Sequence, residues 1–75
     1  MRTPTKTNYA IGQNIRRYRL IRDKTLKELG HALGLTYQQV QKFEAGTDRV
    51  SASQLLEISK VLNIPIEAFF ANAAA

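Results

Sequence analysis

The stretch Thr25–Ala45, TLKELGHALGLTYQQVQKFEA, decides the fold. Thr25 and Glu28 form the pattern of a capping box: the hydroxyl accepts an orphan N–H of a helix's first turn, and the carboxylate reaches back to the cap's own N–H. Thr36 and Gln39 repeat the pattern, and each box opens an apolar-periodic segment. Gly34 and Gly46 stand where a helix ends in left-handed backbone. Only a tight turn fits between Gly34 and Thr36. Small Gly30 lies where two helices would cross closely, Val40 plugs back into the first of them, and Leu29, Leu33, Leu35 and Phe43 fill the space between.

Two helices joined by a turn of three or four residues, the second short and polar on one face, describe a helix-turn-helix unit, placed here at residues 26–45. Ser51 and Gln54 make a third box, opening a helix that carries Leu55, Leu56, Ile58 and Leu62. Upstream, residues 9–22 set Ile11, Ile15 and Tyr18 at helical spacing with Arg16, Arg17 and Arg22 interleaved, an amphipathic first helix. Downstream, Pro65 at a first helical position opens a short fifth helix holding Ile66, Phe69 and Phe70. Residues 1–8 are expected to be a flexible arm and 71–75 a disordered tail, leaving 9–70 as the domain. The expectation is an all-α fold of five helices, with no strand and no internal repeat.

A chain of 75 residues makes one domain. It has no cysteine, which excludes disulfides and thiolate metal sites and fits a reducing cytoplasm. No run of about 18 apolar residues is present to span a membrane, and no apolar segment follows Arg2 and Lys6 to make a signal peptide. The net charge of +5 suits a polyanionic partner. The charge is uneven: Arg2, Lys6, Arg16, Arg17, Arg19, Arg22 and Lys24 face Asp23 alone in the first third, and the rest of the chain is close to balanced. His31 stands alone, and Glu28, Glu44, Glu57 and Glu67 read as cap, brace and helix-surface groups. Neither a catalytic constellation nor a metal or cofactor site is expected.

Residues 11–70 resemble the Cro and phage-repressor helix-turn-helix family, also called the XRE family. Arg19, Leu29, Gly34, Val40, Glu44, Gly46, Leu55 and Leu62 carry the resemblance together. The chain departs from the family pattern at Gly30, where Ala is usual, at Leu26, where a phosphate-touching Gln is common, and at Val50, which replaces a common Pro. The resemblance implies a five-helix, lambda-repressor-like domain whose third helix enters the major groove of duplex DNA. Its outward residues Tyr37, Gln38, Gln41 and Lys42 would contact bases. The chemistry suits them, because Gln pairs with adenine N6 and N7 and Lys donates to guanine O6 and N7. Thr25, Lys27, Thr36, Gln39, Thr47, Arg49 and Arg17 would contact the DNA backbone. Arg19 and Glu44 would pair as a structural brace.

The apolar group Ile64, Ile66, Phe69 and Phe70 either closes the core or forms a dimer interface. Family members that dimerise through their C-terminal helices favour the interface. The functional expectation is a sequence-specific transcriptional regulator in the cytoplasm, a repressor binding a near-palindromic operator as a homodimer. The alternatives are an antitoxin-type protein that represses its own operon and binds a partner protein, or an interaction or RNA-binding module on the same fold.

Overall fold

The structure, a computed structural model, describes residues 5–73. Thr5 sits in extended backbone and its hydroxyl accepts from Asn8 N at 3.0 Å, which starts α1 (Lys6–Ile21). The helix therefore begins inside the segment expected to be an arm. The cap acts without a Glu or Gln three residues on, so the capping-box pattern does not reveal it. Residues 1–4 of that arm lie outside the described residues.

The next three starts follow their hydroxyl caps: α2 (Leu26–Leu33) after Thr25, α3 (Tyr37–Ala45) after Thr36 and α4 (Ala52–Leu62) after Ser51. The boxes at Thr25 and Ser51 are complete. The box at Thr36 is half-made. Its hydroxyl accepts from Gln39 N at 3.2 Å, but the Gln39 amide donates instead to Asp48 Oδ2 at 2.9 Å. Gly34 and Gly46 close α2 and α3 with φ of 70° and 77°, the left-handed backbone that costs glycine little. Asn63 does the same for α4 at φ 54°.

The expected fifth α-helix is a 3-10 helix, Ile66–Phe70, so the fold has four α-helices and a tighter terminal turn. Pro65 precedes this turn as its cap rather than forming its first residue. Residues 71–73, expected to belong to a disordered tail, are instead held in a turn. The Asn14 side chain, buried in α1, donates to Phe69 O at 2.8 Å and to Ala71 O at 2.7 Å, and Ala73 is itself buried.

Ile15, Leu29, Val40, Phe43, Leu55, Ile58, Leu62 and Phe69 are each at most 4% exposed and form the core. Val40 reaches it from α3 as its spacing requires. The Tyr18 ring meets Phe69 edge-on, centroids 5.4 Å apart, a favoured aromatic geometry. Arg22, read in the sequence as part of the basic face of α1, donates to Leu62 O at 2.8 Å and Asn63 O at 3.1 Å. It thereby satisfies carbonyls at the end of α4, where a helix favours positive charge.

Candidate nucleic-acid interface

Two glycines set the spacing around α3. A Cβ on Gly30 of α2 would stand 2.8 Å from Leu35 O and 3.2 Å from Thr36 O, so α2 lies directly on the turn that launches α3. A Cβ on Gly12 would run into Phe43 O and stand 2.7 Å from Glu44 O, so α1 touches the backbone at the far end of α3. Gly12 escapes the sequence reading, because a glycine inside a helical pattern signals weakness before it signals contact. α3 is thus gripped at both ends by neighbours that admit no side chain.

This grip turns one face of α3 outward. Val40, Phe43 and Glu44 are buried, while Tyr37, Gln38, Gln41 and Lys42 are exposed. All four expected base-contacting residues therefore share the open face. Lys27, at the start of α2, places Nζ 6.0 Å from the centroid of the Tyr37 ring, at the limit of cation–π attraction. The starts of α2 and α3, with exposed Thr25 and Thr36, are thereby neighbours on one side of the domain. Each presents the N–H donors and positive dipole end of a helix N-terminus.

Among the expected backbone contacts, Arg49 and Lys27 are exposed and Thr47 is half-buried, its hydroxyl donating to Lys42 O at 3.3 Å. Gln39 is also half-buried. Its bond to Asp48 ties α3 to the loop that carries Thr47 and Arg49, so its amide is committed to bracing that loop. Arg17 is exposed on α1. Exposed Glu28 accepts at Oε1 from Thr25 N at 2.8 Å. That backbone hydrogen bond, helped by the Thr25 hydroxyl and by Lys24, lowers its pKa below the usual carboxylate value.

The four residues expected at a dimer interface separate. Phe69 is fully buried and belongs to the core, which removes it from any interface. Ile64 and Ile66 are half-buried against that core, and Phe70 alone is exposed, at 49%. Among the described residues there is no cluster of three His, Cys, Asp or Glu that could hold a metal ion. No helix among them is long and apolar enough to cross a membrane.

A short helix held against its predecessor by a glycine-tight turn, with its polar face turned outward, defines a helix-turn-helix domain. The comparisons give its family. The family model described as Helix-turn-helix, HTH_3, matches residues 15–69, and the chain belongs to this XRE-type family of DNA-binding transcriptional regulators, which is not an enzyme family. The chain is 43% identical over 70 residues to an "uncharacterized HTH-type transcriptional regulator" of Sinorhizobium medicae (strain WSM419), covering 93% of this chain and 50% of the relative. It is 39% identical over 62 residues to an "uncharacterized transcriptional regulator in ATPase CF(0) region" of Rhodospirillum rubrum, covering 83% and 57%. The chain thus spans about half the length of the curated relatives it matches. Among solved structures it is similar in fold to the clp gene regulator ClgR of Corynebacterium glutamicum, with TM-score 0.83, 24% identity and coverage of 95% and 91%. It is also similar to the restriction-modification controller protein C.AhdI of Aeromonas hydrophila, with TM-score 0.77, 26% identity and coverage of 83% and 94%.

Proposed function

We propose that this chain reads a short operator in duplex DNA through the major groove and represses transcription by occupying it. The observation that carries this reading is the shared exposure of Tyr37, Gln38, Gln41 and Lys42 on the open face of α3, beside the helix starts at Thr25 and Thr36. Gln38 and Lys42, four residues apart, stack on that face. Gln38 supplies the donor–acceptor pair that matches adenine N6 and N7, and Lys42 a donor for guanine O6 and N7. Thr25, Lys27, Thr36, Thr47 and Arg49 flank the face and take phosphates, which fix register without reading sequence. Repression needs no chemistry on this reading, because bound protein excludes polymerase from an overlapping site.

The same reading has the chain act as a homodimer. Its longest principal extent is 29 Å, and successive half-sites on one side of duplex DNA lie about 34 Å apart. A single copy therefore covers one half-site, and two copies related by a two-fold axis read a near-palindrome. Exposed Phe70, in the same terminal turn as half-buried Ile66, supports a contact at the C-terminal end of the domain. The protein then works in the compartment that holds the DNA, the bacterial cytoplasm.

The test is a fluorescence-anisotropy titration against the DNA upstream of its own gene and against a scrambled duplex, each at two salt concentrations. Salt-dependent binding tighter to the upstream DNA by about a thousandfold supports the reading. Equal, weak binding to both duplexes overturns it and directs attention to a protein partner.

A further inference from the structure

We infer that Arg16, rather than Arg17, is the arginine of α1 that seats a DNA phosphate, in the cleft between α1 and α3. The inference deepens the proposed function and rests on it. The cleft has a volume of about 330 Å³ and is lined by Gln13, Arg16 and Arg19 of α1, Leu26 of α2, and Gln41 and Glu44 of α3. It therefore opens between the first residue of α2 and a side chain on the open face of α3, at the edge of the surface turned to DNA.

The geometry of α1 separates the two arginines. Gly12 packs on the Phe43 and Glu44 carbonyls, and Arg19 pairs with Glu44, so these two positions mark the line of α1 that faces α3. Arg16 follows Gly12 by four residues and precedes Arg19 by three, which puts it within about 60° of that line on both counts. Arg17 is five residues from Gly12 and two from Arg19, which turns it about 140–160° away. The charge of Arg16 is also uncommitted. Among the described residues, the carboxylate in the cleft, Glu44, is taken by Arg19, and the Gln13 amide by Glu44 O at 2.9 Å. Arg16 is exposed and makes no ion pair or hydrogen bond there. A planar guanidinium with five donors on the rim of a polar cleft is chemically suited to a phosphodiester.

The departure at Leu26 fits this placement. Leu26 lines the cleft, where its apolar side chain offers no hydrogen bond to a phosphate. Arg16, which lines the same cleft, supplies a donor that Leu26 lacks.

The experiment measures binding of the whole chain to a fluorescein-labelled random-sequence duplex over a series of salt concentrations, for wild type, Arg16→Ala, Arg16→Lys and Arg17→Ala. Both arginines are exposed, and circular dichroism checks that the variants are folded. The expected result is that Arg16→Ala lowers the magnitude of the (negative) slope of log K against log salt by about 0.9, the value of one phosphate contact. Arg16→Lys restores the slope, and Arg17→Ala leaves it at the wild-type value. The inference is overturned if wild type binds and Arg16→Ala keeps the wild-type slope, or if both alanine variants lower it equally. A wild type that binds no duplex at any salt concentration overturns the DNA reading itself, and Arg16's role with it.

Discussion

Arg19 and Glu44 lock α1 to α3 in a forked pair: Nε donates to Oε2 at 2.6 Å and Nη2 to Oε1 at 3.1 Å. The side chains are only 9% and 7% exposed, and Nη1 donates onward to Lys24 O at 2.8 Å. One guanidinium thus fixes the position of α3, through Glu44, and the path of the chain entering α2, through Lys24. A lysine supplies a point charge and cannot hold both carboxylate oxygens in this way.

Removing one partner leaves the other buried and unpaired. Glu44→Ala is expected to destabilise the domain by about 3–5 kcal/mol, read from urea unfolding. The double variant Arg19→Met with Glu44→Leu, which replaces the pair by apolar groups of similar volume, recovers most of that loss. If the single and the double variant lose equally, the cost comes from lost packing and not from an orphaned charge.

The glycines give a second ordering. Gly34 has open space where a Cβ would go, and its only obstacle is φ of 70°, so Gly34→Ala should cost about 1–2 kcal/mol. Gly12 has a helical backbone and no room, since its Cβ would meet two carbonyls of α3, which are backbone and cannot swing aside. Gly12→Ala is expected to cost about 3 kcal/mol, the upper part of the range for overpacking. Thermal denaturation of the two variants decides it, and a Gly34→Ala that loses more than Gly12→Ala would show that α1 and α3 separate easily.

Local signals made α2, α3 and α4 legible from the sequence. Thr25, Thr36 and Ser51 cap them, and Gly34 and Gly46 end α2 and α3, all through bonds to residues a few positions away. What escaped depends on distant partners. The choice of the Gln39 amide between the Thr36 backbone and Asp48 is a tertiary competition. Asn14 finds its acceptors 55 and 57 residues along the chain. Phe69 and Phe70 are neighbours of equal hydrophobicity, and only the tight final turn decides which one enters the core. The exposed face of α3 was legible because burial of Val40 and Phe43 dictates its opposite side. The difference between Arg16 and Arg17 required knowing which line of α1 meets α3.

That split at the C-terminal end is itself testable. Phe69→Ala empties a core position and should cost about 3–5 kcal/mol. Phe70→Ser alters a half-exposed side chain and should change folding stability by less than about 0.5 kcal/mol, while weakening self-association in sedimentation equilibrium. A wild type that sediments as a dimer and a Phe70→Ser variant with an unchanged dimer constant would remove Phe70 from the interface.

Glu28 gives a pH dependence with a defined sign. Its folded pKa is lowered by the Thr25 N–H, so its contribution to stability is present above the unfolded carboxylate value. It is lost as pH falls through the lower folded value. Unfolding midpoints of wild type and Glu28→Gln, which keeps an acceptor for the box, should therefore converge as pH drops from about 5 to 3. Parallel curves across that interval would mean that the carboxylate charge adds nothing to the cap.

The proposed division of labour on DNA separates two kinds of exposed side chain. Gln38 projects from the first turn of α3, the part of a recognition helix that meets base edges. Gln38→Ala should weaken binding to the preferred site by about 1–3 kcal/mol and leave binding to a scrambled duplex nearly unchanged. Arg49 lies on the loop after α3, which the Gln39–Asp48 bond ties to that helix, and on the proposed reading it takes phosphates that every sequence presents alike. Arg49→Ala should weaken binding to both duplexes similarly and reduce the salt slope by about one unit. Anisotropy titrations of both variants on both duplexes form a square in which specificity changes along one edge and salt dependence along the other. Equal losses for the two variants on both duplexes would mean that α3 is not inserted where its open face suggests, and that the loop and the helix grip the DNA as a single electrostatic surface.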